Sequence, residues 1–157
     1  MKTIRLTLTA LGLSLFPLAA SAQSANVLTA YYEVKDALVA TDAAAAKTAA
    51  TALVSALRAM KTADLSAVDK KALAAARTKA LTINKIADID AQREQFESLS
   101  TSMIALAKAT KPAKTFVQFC PMAADGKGAF WLSGQKEIKN PYYGSKMLKC
   151  GLVKEVI

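Results

Sequence analysis

The sequence predicts a mainly α fold: an antiparallel four-helix bundle carrying a small C-terminal β-hairpin and an irregular segment rich in cysteine and methionine. Three observations lead there. Residues 26–110 are alanine-rich and place larger apolar side chains at spacings of three and four. Composition changes after Pro112, where short aromatic and β-branched runs alternate with turn residues. Both cysteines and the single tryptophan fall between residues 120 and 151.

The N-terminus reads as a secretory signal over residues 1–22. Lys2 and Arg5 supply the positive start, and Leu6 to Leu18 is an apolar run interrupted by Pro17. Ala20-Ser21-Ala22 is a small-x-small cleavage site, which makes Gln23 the first mature residue. The apolar run is short for a membrane span of about 20 residues. The expectation is an exported, soluble, periplasmic protein with no membrane span after signal removal. Residues 23–157 suit a single domain.

The first helix is expected over about 26–40, with Val27, Tyr31, Val34 and Leu38 on one face. Thr41-Asp42 offers a cap, and a second helix follows over about 42–60. Its alanines favour helix intrinsically, and Leu53, Leu57 and Met60 supply bulk. Ser66, with Asp69 three residues on, resembles a capping box and opens a helix over about 66–87. Leu73, Ala76, Ala80, Ile83 and Ala87 form its apolar face. A fourth helix over about 90–110 carries Phe96, Leu99, Met103 and Leu106 and ends before Lys111-Pro112. In the C-terminal segment, 115–157, residues 115–119 and 129–132 read as the two arms of a hairpin around the turn Asp125-Gly126-Lys127-Gly128. Trp131 is expected to anchor the hairpin on the helices. The turn Asn140-Pro141-Tyr142-Tyr143-Gly144 brings Met147 and Cys150 back towards Cys120.

The formal net charge is +9, of which the leader contributes two. The basic residues are scattered over helix faces, which points to a solvated surface rather than a nucleic-acid site. There is no histidine. This excludes Ser-His-Asp and Cys-His catalysis and removes the commonest ligand of zinc and cupric copper. The cysteines also lack C-x-x-C spacing. A non-enzymatic protein is expected.

Cys120 and Met122 open the C-terminal stretch, and Met147 and Cys150 close it. Thiolate and thioether sulfurs are soft donors that favour cuprous copper or silver. Met147 and Cys150 would share one side of a helical turn. Two readings stay open. Cys120, Met122, Met147 and Cys150 bind Cu(I) or Ag(I), with the 140–144 turn fixing the approach of the second pair. Alternatively, Cys120 and Cys150 form a structural disulfide, as a lone pair in an oxidising compartment commonly does, and no metal is bound.

Several of these stretches resemble an exported domain family of unassigned function common in Bacteroidetes. One is Tyr31 to Met60, opening Tyr-x-x-x-Lys-Asp-Ala-Leu-Val-Ala-x-Asp. Another is Asp88-Ile89-Asp90-Ala91-Gln92-Arg93, followed by Phe96 and Leu99-Ser100. The longest is the ending: Cys120-Pro121-Met122-Ala123, Gly128-Ala129-x-Trp131-Leu132-Ser133, Ile138-x-Asn140-Pro141-Tyr142-x-Gly144 and Met147-x-x-Cys150-Gly151. Members look like stand-alone periplasmic proteins or like the C-terminal part of periplasmic adaptor subunits of heavy-metal efflux pumps. The resemblance implies copper or silver handling. It also implies an efflux adaptor, or another envelope protein, as partner.

Overall fold

The computed structural model describes residues 18–157. Residues 1–17 of the expected leader lie outside the described residues. Four helices come first: α1 (Leu18–Val39), α2 (Ala43–Ala59), α3 (Ala67–Lys85) and α4 (Ile89–Thr110). Three strands follow, β1 (Phe116–Cys120), β2 (Ala129–Ser133) and β3 (Leu152–Val156), with a 3-10 turn over Gly144–Met147 ahead of β3.

Local chemistry sets the helix ends. The Asp42 carboxylate accepts from Ala45 N at 2.8 Å and starts α2. Ser66 Oγ accepts from Asp69 N at 3.2 Å and starts α3, and Asp88 caps α4 through Ala91 N at 2.8 Å. α4 stops at Lys111, whose φ of 43° is left-handed, immediately before Pro112. Two expected boundaries shift. α1 begins at Leu18 rather than near residue 26, because alanines and small polar residues continue the helix without a breaker. α3 ends at Lys85, since Ile86 turns extended, and this leaves Ala87 exposed and off the apolar face.

The expected stripes are buried, from Tyr31 and Leu38 on α1 to Phe96 and Met103 on α4. Consecutive helices pack on one another, but α1 and α4 meet only sparsely. The sheet occupies that seam. β2 packs on α4 and buries Trp131 and Leu132 completely. Tyr31 ties the three elements together. Its hydroxyl accepts from Leu132 N at 3.1 Å and lies 2.7 Å from Ser100 Oγ on α4. Its ring stacks on Phe96 at a centroid distance of 5.3 Å. Desolvation raises the Tyr31 pKa well above the ordinary phenol value, so it stays a neutral hydrogen-bonding group.

The sheet is three-stranded and antiparallel, in the order β2-β1-β3. The hairpin of β1 and β2 matches the sequence expectation, with Cys120 opposite Ala129. β3 was not anticipated. It lies on the other edge of β1, with Phe119 opposite Leu152 and a register irregularity between Val117 and Gln118. Its side chains are mostly exposed, so its place is set by main-chain pairing with β1.

Candidate thiol pair at the end of the sheet

The register of β3 on β1 brings the cysteines together. Cys120 is the last residue of β1, and Cys150 lies just ahead of β3. Because Leu152 pairs with Phe119, the chain before β3 runs alongside Cys120. The two Sγ atoms are 2.9 Å apart, with no covalent bond between them. Cys120 is fully buried and Cys150 partly exposed.

Gly151 makes this approach possible. A Cβ there would lie 2.9 Å from the Trp131 ring and 3.0 Å from the Phe119 carbonyl oxygen, and its φ is 144°. Trp131 forms the floor under the Cys150 segment. Its ring meets Tyr142 edge-on at 5.9 Å.

The turn at residues 140–144 sits against both cysteine segments. Asn140 is completely buried. Its Nδ2 donates to the Cys150 carbonyl at 2.8 Å, and its Oδ1 accepts from Tyr142 N at 2.8 Å and Tyr143 N at 3.3 Å. Asn140 N donates to Leu148 O at 2.9 Å. Tyr143 Oη donates to the Met122 carbonyl at 2.6 Å, two residues past Cys120.

The turn is fastened to the helices by Arg93, which is 6 % exposed. Arg93 Nε donates to Pro141 O at 3.0 Å, and Nη2 reaches Leu38 O at 3.1 Å and Thr41 Oγ1 at 3.0 Å. Its ion pair with Asp90 at 2.8 Å faces a largely exposed carboxylate and contributes little by comparison. Sequence reasoning placed Arg93 in a motif without giving it this role. The Asp90–Arg93 spacing was visible, but the carbonyls that Arg93 serves lie 48 and 55 residues away.

Met147 meets the Cys150 segment through its backbone. Cys150 N donates to Met147 O at 3.0 Å in the turn that follows the 3-10 segment, and Cys150 itself lies outside that segment. The methionine side chains lie at the surface, 53 % exposed for Met122 and 37 % for Met147.

The electrostatics hold Cys150 in its neutral form. Its pKa is raised chiefly by the hydrogen bond with Cys120, then by desolvation and by the charge of a Cys120 thiolate, against a smaller opposing effect of Met122 N–H. Tyr143 is raised as well, by desolvation first and then by the nearby cysteines and Asp125. Among the described residues, no group of three or more His, Cys, Asp or Glu side chains converges as a metal-binding cluster. The structure thus brings two of the four expected sulfur donors together, the two cysteines, while the Met122 and Met147 side chains are exposed.

A family described as Protein of unknown function (DUF3347) matches residues 27–115. The chain belongs to this family. The matched stretch covers α4 and most of α1 together with all of α2 and α3, and it includes Tyr31, Phe96 and Arg93. It ends before β1, so Cys120 and Cys150 lie beyond it. No curated protein and no solved structure matches the chain. Among the described residues, no helix is long and apolar enough to cross a membrane.

Proposed function

We propose that this DUF3347 protein is an exported, non-enzymatic carrier of a soft monovalent metal ion, Cu(I) or Ag(I), in the periplasm. The observation that supports the reading is the 2.9 Å approach of two thiols that are 30 residues apart in the chain. Cys120 and Cys150 would take the ion as thiolates, and Met122 and Met147 would add thioether donors. Soft sulfur donors without histidine select such ions over harder ones. Binding releases thiol protons, so affinity rises with pH. The partly exposed Cys150 leaves a route for exchange with a partner. The link to heavy-metal efflux, through an adaptor subunit or another envelope protein, rests on the resemblance of the motifs around these residues.

The same closeness supports a second reading. Oxidation would join the thiols as a disulfide that pins β3 and the 140–144 turn to β1. Closing a loop of that length contributes about 3–4 kcal/mol. The protein would then be a structural or interaction module.

Native intact mass of the protein from the periplasm of copper-supplemented cells, purified without reductant, separates the two. The expected result is a species heavier by one copper that disappears in Cys120→Ser. A metal-free species lighter by two hydrogens would overturn the carrier reading and leave the disulfide module.

A further inference from the structure

We infer that Asn140 and Tyr143 are positioning residues that set the separation of the two sulfurs. The inference rests on the thiol pair being the site, whether the pair holds metal or a disulfide. One five-residue turn holds both cysteine segments, each by one side-chain hydrogen bond, with Asn140 N on Leu148 O added on the Cys150 side. Asn140 Nδ2 grips the Cys150 carbonyl at 2.8 Å, and Tyr143 Oη grips the Met122 carbonyl at 2.6 Å. The turn is itself fixed from outside, by Arg93 on Pro141 O at 3.0 Å and by Tyr142 Oη on the Phe130 carbonyl. Cys120 is held by the β1 ladder, whereas Cys150 lies outside any strand. The β3 register brings the Cys150 segment near Cys120, and the Asn140 side chain then fixes where its carbonyl stands. Burial makes this bond effective, because Asn140 is wholly out of water and its amide has no solvent alternative.

The two ends of the Asn140 amide do separate jobs. Oδ1 closes the turn by accepting from Tyr142 N and Tyr143 N, while Nδ2 alone reaches Cys150. Asn140→Asp keeps the acceptor and loses the donor. Tyr143→Phe removes only the hydroxyl of a side chain at the surface.

The test equilibrates reduced wild type, Asn140→Asp, Tyr143→Phe and a remote cap variant, Ser66→Ala, with oxidised and reduced glutathione. Two thiols and one glutathione disulfide give one protein disulfide and two glutathione thiols, and trapped species are counted by mass. Each turn variant should lower the equilibrium constant for the Cys120–Cys150 disulfide by about ten-fold. Near-UV circular dichroism of the reduced proteins should be retained. Ser66→Ala should melt earlier yet leave that constant unchanged, which a merely destabilising effect would not do. Constants within two-fold of wild type in both turn variants would overturn the inference. If Asn140→Asp does not fold, Tyr143→Phe decides alone. A wild type that neither closes an intramolecular disulfide nor binds Cu(I) would sink the thiol-pair reading itself, a result distinct from the first.

Discussion

Cys150 departs from the behaviour of a free thiol. Its hydrogen bond with Cys120 stabilises the protonated thiol, and desolvation and the charge of a Cys120 thiolate add to this. The folded value is thus above the unfolded one, near 8.5 for a free thiol. The contribution to stability is complete below that unfolded value and is lost as pH rises through the folded value. In reduced protein, the alkylation rate of Cys150 should therefore rise at a higher pH than for a free cysteine. Cys120→Ala should shift the profile back down. Iodoacetamide kinetics with peptide mass readout would check this, and a wild-type profile centred at the free-cysteine value would contradict it. Periodicity put Tyr31 in the core correctly, but it was silent about a hydroxyl shared by Leu132 N and Ser100. That role depends on which elements meet at the α1–α4 seam.

At the scale of elements, the joint between the helices and the 140–144 turn is the most sensitive. Gly144 has a φ of 57°, and a Cβ there would fall 2.5 Å from Thr41 Oγ1 and 3.0 Å from the Val39 carbonyl oxygen. Both atoms belong to the exit of α1, so the added methyl group cannot be met by a flexible side chain alone. Gly144→Ala should lower stability by about 1–3 kcal/mol, combining the left-handed backbone cost with displacement of the turn. Urea unfolding of the reduced protein measures it, and a loss under 0.5 kcal/mol would mean the turn re-seats freely. The elements themselves were unevenly legible. Caps at Asp42, Ser66 and Asp88 and the hairpin of β1 and β2 follow from local signals. β3 was not legible, because Leu152–Val156 is mostly exposed and shows no alternation of buried and exposed positions. Its existence depends on a partner strand more than 30 residues earlier.

At the scale of the molecule, the helices do not complete their own core. α1 and α4 leave a seam in which Tyr31 and Phe96 lie, and β2 with Tyr142 covers it. Many positions elsewhere in the core are alanine, including Ala46, Ala50, Ala76 and Ala80, each fully buried. Alanine buries little apolar area, whereas a fully buried large side chain contributes about 1.5–3 kcal/mol. The C-terminal segment adds the buried Trp131, Leu132 and Tyr142 at the seam that the helices leave open. A chain ending at Pro112 should bind the dye ANS and lose its cooperative thermal transition, while retaining helical far-UV circular dichroism. A sharp, ANS-silent melt of that fragment would show that the helices fold alone.

The sequence by itself determined the helices, their caps, the first hairpin and the supply of soft sulfur donors in an otherwise histidine-free chain. These depend on neighbours three or four residues apart, or on composition, and such signals are local. The return of Cys150 towards Cys120 was an expectation of the sequence; only the tertiary structure decided that β3 pairing carries it there, that Arg93 holds the turn between them and that β2 fills the α1–α4 seam. Each of those outcomes joins residues dozens of positions apart. Their pairing is chosen by the summed burial and hydrogen bonding of the whole chain, which no short stretch encodes.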